Sequence, residues 1–403
     1  MKKILTVAFA VLAICSAWGK GYDMKRIVNG DVNFSARQYM LMEKNIARTG
    51  KTLIPKTVKD GKVKYIPIDD WCSGFYAGSL WYLNTLTGNR AWKPLAERYT
   101  LILDSVKHLK WHHDVGFMIG CSYLNGYRLG GHKEYKDVIV ETARSLCTRF
   151  RPNAGIIQSW NVDRGWQSQR GWTCPVIIDN MMNLELLFEA TRMSGDSTFW
   201  NIAVQHANTT MANHFRTDYS CYHVIDYDPA TGKVLNKHTA QGYAHETSWA
   251  RGQAWALYGF TMMYRETGDE RFLQQAKGVA NFIINHPRLP KDKVPYWDFD
   301  APDISHALRD ASAASIMASA FIELSNITRA DKAFSQSCLR IAEQQLRTLT
   351  SSTYLAEPGT NGGFILKHSV GNKPKGTEVD VPLTYADYYY VEALVRYKKL
   401  LKK

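Results

Sequence analysis

Leu86-Thr87-Gly88-Asn89, Leu129-Gly130-Gly131-His132, Met193-Ser194-Gly195-Asp196 and Glu266-Thr267-Gly268-Asp269 are four versions of one short signature. In each, an amphipathic run closes on glycine and a new helical run starts at once. Glycine suits the left-handed residue that ends a helix, and in three of the four an Asn or Asp follows that can cap the next helix. A degenerate version, Leu324-Ser325-Asn326, precedes a run beginning near Ala330. Outward from these turns, apolar periodicity predicts helices over 33–48, 73–86, 91–109, 116–129, 133–150 and 178–193, then over 198–215, 248–266, 270–284, 310–324, 331–348 and 385–397. Twelve helices in six hairpins, none able to bury its apolar face alone, predict an all-α (α/α)6 toroid. An open solenoid is disfavoured by uneven spacing, since Gly88 to Gly131 is much shorter than Gly195 to Gly268. Strands are expected to be few, with 222–225 and 364–366 pairing locally.

In such a toroid alternate helices line the inside and point the same way, so their N-termini open on one face. The even-numbered runs are rich in small residues, as in Ala311-Ser312-Ala313-Ala314-Ser315. Ahead of them stand Asp69-Asp70-Trp71, His112-His113-Asp114, Asp179-Asn180, His245-Glu246-Thr247-Ser248-Trp249, Asp298-Phe299-Asp300 with Arg309-Asp310, and Thr384-Tyr385. Six polar and aromatic clusters thus converge on one rim. An Asp at a helix start is ordinarily a cap worth about 1 kcal/mol, and that is the reading for Asp69, Asp70 and Asp310. Asp114 and Asp179 fit caps too. Asp114, however, sits in a run of His and Trp, and Asp179 follows the apolar Val176-Ile177-Ile178, where an idle charge would be costly. From the residues alone, a catalytic pair and ordinary capping are evenly balanced.

The chain of 403 residues carries a formal net charge of +13. Its basic residues are scattered apart from the terminal lysines, which disfavours nucleic acid and leaves an acidic polysaccharide or an anionic surface as partner. Its 12 Trp, 22 Tyr and 15 Phe suit sugar faces and cores equally. Met1-Lys2-Lys3 and the apolar Ile4 to Ile14 read as an export signal over 1–19, leaving 20–403 as a single (α/α)6 domain exported to the periplasm. Small residues at Ala17-Trp18-Gly19 favour free release; a lipid anchor on Cys15 is the alternative, weakened by the bulky Ile14. No later run is long and apolar enough to span a membrane. The remaining cysteines, Cys72, Cys121, Cys147, Cys174, Cys221 and Cys338, form no CxxC pair and read as buried thiols. His245-Glu246 begins like a zincin motif, but Trp249 stands where the second histidine belongs, so no metal is expected. No GxGxxG or P-loop opens a helix, so no cofactor is expected either.

Several segments resemble the unsaturated glucuronyl hydrolases, glycoside hydrolase family 88: Trp71-Cys72-Ser73-Gly74-Phe75, His113-Asp114-Val115-Gly116-Phe117, Ile178-Asp179-Asn180, Ser248-Trp249-Ala250-Arg251-Gly252-Gln253-Ala254-Trp255 and Pro295-Tyr296-Trp297-Asp298-Phe299-Asp300-Ala301-Pro302. They stand in the family's order along the chain. The resemblance implies an (α/α)6 barrel that removes the unsaturated uronic acid left at the non-reducing end by polysaccharide lyases. It implies Asp179 as general acid and base and Asp114 as the second essential carboxylate. It also implies Trp71, His113, Trp160, His223, Gln241, Arg251 and Trp255 as substrate-binding residues, with unsaturated acidic di- or oligosaccharides as partners. The plain alternatives are core packing for the tryptophans, a structural role for His223 and a helix-to-helix bridge for Arg251. Tyr243-Ala244-His245-Glu246-Thr247 departs from the acidic stretch usual in the family and leaves subsite preference open. On this reading Asp179 is protonated near neutral pH by desolvation and like charge, and a solvated, histidine-flanked Asp114 stays ionised. The positive charge and Lys373-Pro374-Lys375 favour a glycosaminoglycan fragment over the pectin fragments of unsaturated rhamnogalacturonyl hydrolases. A non-catalytic sugar-binding toroid is the remaining alternative.

Overall fold

Gly88, Gly131, Gly195 and Gly268 all take positive φ, at 66°, 77°, 79° and 68°, each where the signature requires a left-handed residue. Asp196 and Asp269 then cap the helices that follow, accepting from Thr198 N at 2.9 Å and Arg271 N at 2.9 Å. The structure is a computed structural model that describes residues 2–402, with side chains described from Asp23 onward. The expected export segment 1–19 and Cys15 lie outside the residues so described.

The helices are α1 (Lys2–Ala47), α2 (Ser73–Thr87), α3 (Trp92–Leu101), α4 (Val115–Ile119), α5 (Lys136–Cys147), α6 (Leu184–Ser194), α7 (Ser197–Asn213), α8 (Ala250–Thr267), α9 (Glu270–Asn285), α10 (Ala311–Ile327), α11 (Lys332–Leu349) and α12 (Thr384–Leu400). Each even-numbered helix packs on the next, and α12 packs back on α2, so the inner ring closes. The odd-numbered helices form an outer layer, with α3 on α2, α7 on α6, α9 on α8 and α11 on α10. The fold is thus an (α/α)6 toroid. Sequence explains the two layers: α8, α10 and α12 are buried almost all round, whereas α9 and α11 bury one stripe. Glycine brings inner helices together, since a Cβ on Gly74 would fall 2.1 Å from the Met118 carbonyl oxygen.

Several predicted runs are less regular than a continuous α-helix. The run expected over 91–109 ends at Leu101 and resumes as a 3-10 turn, Asp104–His108. The run over 116–129 is α-helical only to Ile119 and continues as π-helical turns over Gly120–Leu124 and Gly126–Gly130. The run over 178–193 opens as a 3-10 turn, Ile178–Asn183. The strands are more numerous than expected. Hairpin β1 (Ile54–Lys59) with β2 (Lys62–Ile66) turns on Asp60-Gly61; β3 (Phe150–Arg151) pairs with β4 (Ile156–Ile157). β5 (Pro175–Ile177), β6 (Val224–Tyr227) and β7 (Val234–His238) form an antiparallel sheet in that order, and β8 (Ser369–Asn372) pairs with β9 (Thr377–Val381). The stretch 364–366 forms no strand and contributes only an isolated bridge from Leu366 to Leu355. The six cysteines from Cys72 to Cys338 are free thiols, all buried except the half-buried Cys147.

Candidate active site

Asp114 occupies the N-cap position of α4, yet its side chain caps nothing. Asp179 lies in the 3-10 turn before α6, set there by β5, whose Ile177 pairs with Val224 of β6. Neither carboxylate is consumed by helix capping, in contrast to Asp310, which accepts from Ser312 N at 2.9 Å. Asp70 also behaves as a local acceptor, taking the Cys72 amide at 2.9 Å and the Lys56 ammonium at 3.1 Å.

Both carboxyls are buried, Asp114 at 8 % and Asp179 at 9 % exposure. Burial raises the pKa of Asp179 to about 7, opposed by the positive charge of Arg251 and by the indole N–H of Trp255. Asp114 is raised well above its ordinary value by burial first and by the charge of Asp179 second. The expectation of a solvated, ionised Asp114 is therefore corrected. Its histidine neighbours supply no positive charge, because burial holds His112 down to about 4 and His113 well below the ordinary range. His113 Nε2 lies 3.2 Å and His112 Nδ1 3.5 Å from Asp114 Oδ2. Burial thus lifts both carboxyls above the ordinary carboxylate range.

His223 fixes the other side. Its Nδ1 accepts from the amides of Ala240 at 3.1 Å and Gln241 at 3.2 Å, which assigns the proton to Nε2. That Nε2 faces Asp179 Oδ2 at 3.8 Å. Trp249 packs on the His223 ring with centroids 4.4 Å apart, and the Arg251 guanidinium lies 4.5 Å from the Trp249 ring. Trp71 meets Tyr385 at 4.9 Å and Phe117 at 5.5 Å, while Phe117 meets Trp255 at 5.4 Å. Trp160 is half-buried, stacked on Trp172 at 5.6 Å and edge-on to His223 at 6.0 Å. All nine residues singled out from the sequence are thereby linked into one cluster.

Arg251 is held more firmly than a free anion-binding side chain. Its guanidinium donates to Asp310 at 3.3 Å, to the Val370 carbonyl and to the Gly371 carbonyl at 2.7 Å, bridging α8 to α10 and β8. Its Nε has no protein partner. The same is true of Asp179 Oδ2, His223 Nε2 and the Tyr385 hydroxyl.

No protein-family model matches the chain. A curated relative from Formosa agariphila, an unsaturated glucuronyl hydrolase, is 48% identical over 342 residues, covering 85% of this chain and 83% of the relative. The chain belongs to the unsaturated glucuronyl hydrolases. A second relative, the unsaturated chondroitin disaccharide hydrolase of Streptococcus pneumoniae, is 34% identical over 333 residues and covers 82% of each chain. Among solved structures, an unsaturated glucuronyl hydrolase specific for heparin superposes with a TM-score of 0.88 at 44% identity, covering 94% of this chain and 98% of that one. The chain is accordingly a glycosidase of family 88.

Within this family member, sequence reading passed over Trp166 and Trp172, which complete an aromatic wall around Trp160, and Asn183. Trp166 lies 5.0 Å from Trp160, and Lys375 on the β8–β9 turn sits 3.5 Å above the Trp166 ring. These residues stand in a 3-10 turn (Gly165–Arg170) and loops, where no helical or strand period marks them. Asn183 accepts the Phe117 amide at 3.0 Å and ties the two carboxylate-bearing segments together. The Asn-rich stretch after Asp179 was its only signal.

Proposed function

We propose that this chain removes the unsaturated uronic acid from the non-reducing end of lyase-generated glycosaminoglycan oligosaccharides by hydrating the C4–C5 double bond, with Asp179 and Asp114 as the catalytic pair. The observation that carries this assignment is the buried Asp179 carboxyl with His223 Nε2 facing it and the Arg251 charge acting on it, each keeping a polar atom without a protein partner. Each such atom costs about 1–3 kcal/mol when buried unpaired, so a shared ligand rich in hydroxyls and bearing a carboxylate accounts for them together.

The substrate is a vinyl ether. Protonation at C4 places positive charge on C5 and the ring oxygen, and water adds its oxygen at C5 while giving up a proton. The resulting hemiketal opens, which frees C1 as a hemiacetal that expels the remaining sugar. No glycosyl-enzyme forms. Asp179, with its pKa raised to about 7, holds a transferable proton at neutral pH and accepts one from water afterwards. Asp114, its own pKa raised by burial and by the charge of Asp179, shares in that proton traffic. His113, its Nε2 3.2 Å from Asp114, and His223, its Nε2 facing Asp179, are both neutral and flank the pair. Trp71 and Trp160 offer faces to the sugar rings, Trp255 and Gln241 offer hydrogen bonds, and Arg251 presents positive charge and its unpaired Nε to the uronate carboxylate.

Lys375 and Arg170 beside the Trp160 wall support a sulfated neighbour sugar over a pectin fragment, Arg170 lying 5.5 Å from the rings of Trp166 and Trp172. Among the described residues no helix is long and apolar enough to cross a membrane. The basic, then apolar, N-terminal segment supports export to the periplasm with 1–19 removed, leaving a catalytic domain over 20–403. The test is the ultraviolet absorbance of the conjugated uronate in unsaturated disaccharides from chondroitin, hyaluronan, heparin and pectin. Loss of absorbance on the glycosaminoglycan members is expected; binding without any loss would sink the enzymatic assignment.

A further inference from the structure

All six inner helices line a second space that the reaction does not use. It is a cavity of about 710 Å³, within the size range of small-molecule sites, and its wall includes none of the nine residues of the active-site cluster. Nearest the catalytic elements the wall is apolar and aromatic, with Phe117, Met182, Tyr388 and Tyr389. Further out runs a ring of ion pairs between Glu185 and Arg265 at 2.7 Å, Arg265 and Glu323 at 2.7 Å, and Glu323 and Arg396 at 2.6 Å. Beyond it stand Lys399 and Lys402, both exposed and without an ion-pair partner among the described residues. Five cationic side chains on the wall face three carboxylates, so the space is net positive.

One stretch of wall is built at a cost. The π-helical turns Gly120–Leu124 and Gly126–Gly130 contribute Gly120, Cys121, Leu124, Asn125, Arg128 and Leu129 to it. Such turns are rare and concentrate at functional sites. Gly120 has ordinary helical angles, φ −63° and ψ −43°, so its backbone does not demand glycine. A Cβ there would meet nothing within 4 Å, so no close packing demands it either. What the glycine contributes is room inside the cavity.

We propose that this cavity is a second ligand site, distinct from the carboxylate pair, for a small organic anion with a flat apolar or ring body. The body fits the aromatic floor, and the anionic group meets the lysines at the outer end. An occupant also touches the back of the catalytic elements, because Phe117 packs on Trp71 and Trp255, and Met182 belongs to the same turn as Asp179.

The test titrates the full chain with anilinonaphthalene sulfonate, an aromatic anion whose fluorescence rises in dry pockets, and with neutral phenylnaphthylamine. Saturable binding of the sulfonate is expected, at least tenfold tighter than the neutral dye. It should weaken at least tenfold in Gly120→Phe, which fills the cavity, and in the double variant Lys399→Glu/Lys402→Glu, whose exposed sites leave folding intact. Saturating unsaturated disaccharide, added to an Asp179→Asn background, should not displace the dye. Absence of saturable binding, undiminished binding in the lysine double variant, equal affinity for the neutral dye or displacement by the disaccharide would each overturn the proposal.

Discussion

Replacing Asp179 by Asn should inactivate the protein and stabilise it, the second effect growing with pH. A buried carboxyl whose pKa rises from 3.8 to about 7 on folding resists ionisation by about 4 kcal/mol. The folded state keeps its proton between these two values while the unfolded chain has lost it. Stability contributed by the protonated group is therefore full at low pH, declines from about pH 4 upward, and is gone above about pH 7. An amide of the same shape never ionises and escapes that penalty. Relative to the native protein, Asp179→Asn should gain nothing near pH 4 and up to about 4 kcal/mol at pH 8, a shift in melting temperature on the order of 5 °C for a chain of this size. The loss of activity should be at least about 1000-fold, since both the proton donor and the acceptor for water are removed. Thermal or urea unfolding of both proteins at pH 4.5, 6 and 8, alongside the absorbance assay, measures the two effects together. A stability difference that stays constant from pH 4.5 to pH 8 would refute the raised pKa and with it the acid role of Asp179.

Three further outcomes follow from the same site. The pH profile of kcat/KM should fall on the alkaline side with an apparent pKa near the value of about 7 given for Asp179, because deprotonation removes the donor. Arg251→Met should move that alkaline limb upward, since the guanidinium is the largest influence holding Asp179 down, and should destabilise the fold by about 3 kcal/mol by leaving buried Asp310 without its cationic partner; a pH series with thermal melts reads both. Activity should be fully retained after dialysis against a strong chelator, in keeping with the missing second histidine of the His245-Glu246 stretch.

Much of this was legible in the chain itself. The glycine turns at 88, 131, 195 and 268 announced helix ends, and small-residue runs such as 311–315 announced an inner layer, because both are local signals tied to backbone conformation and side-chain volume. Asp114 and Asp179 were visible as carboxylates with unusual neighbours. Their electrostatics were not. Whether Asp114 is solvated depends on what tertiary packing places over it, and two adjacent histidines look like positive charge until burial neutralises them. Arg251 was legible as a cation but not as a bridge, since Asp310, Val370 and Gly371 come from distant parts of the chain. The hairpin at Asp60-Gly61 carried a recognisable turn dipeptide, yet its lysine-rich strands hid it. The π-turns after Ile119 keep nearly the same apolar spacing as an α-helix and leave no distinct trace in sequence.

The contact of Trp71 with Tyr385 has a consequence for how the protein comes into being. The first and last helices of the inner ring, α2 and α12, meet there, so the site is completed only when segments from opposite ends of the chain have found each other. Such non-local closure is slow, because the entropy of joining distant segments must be overcome before their contacts form. Until then the half-built ring exposes the apolar sides of its inner helices. A chain ending before α12 therefore lacks both Tyr385 and the helix that closes the inner ring on α2.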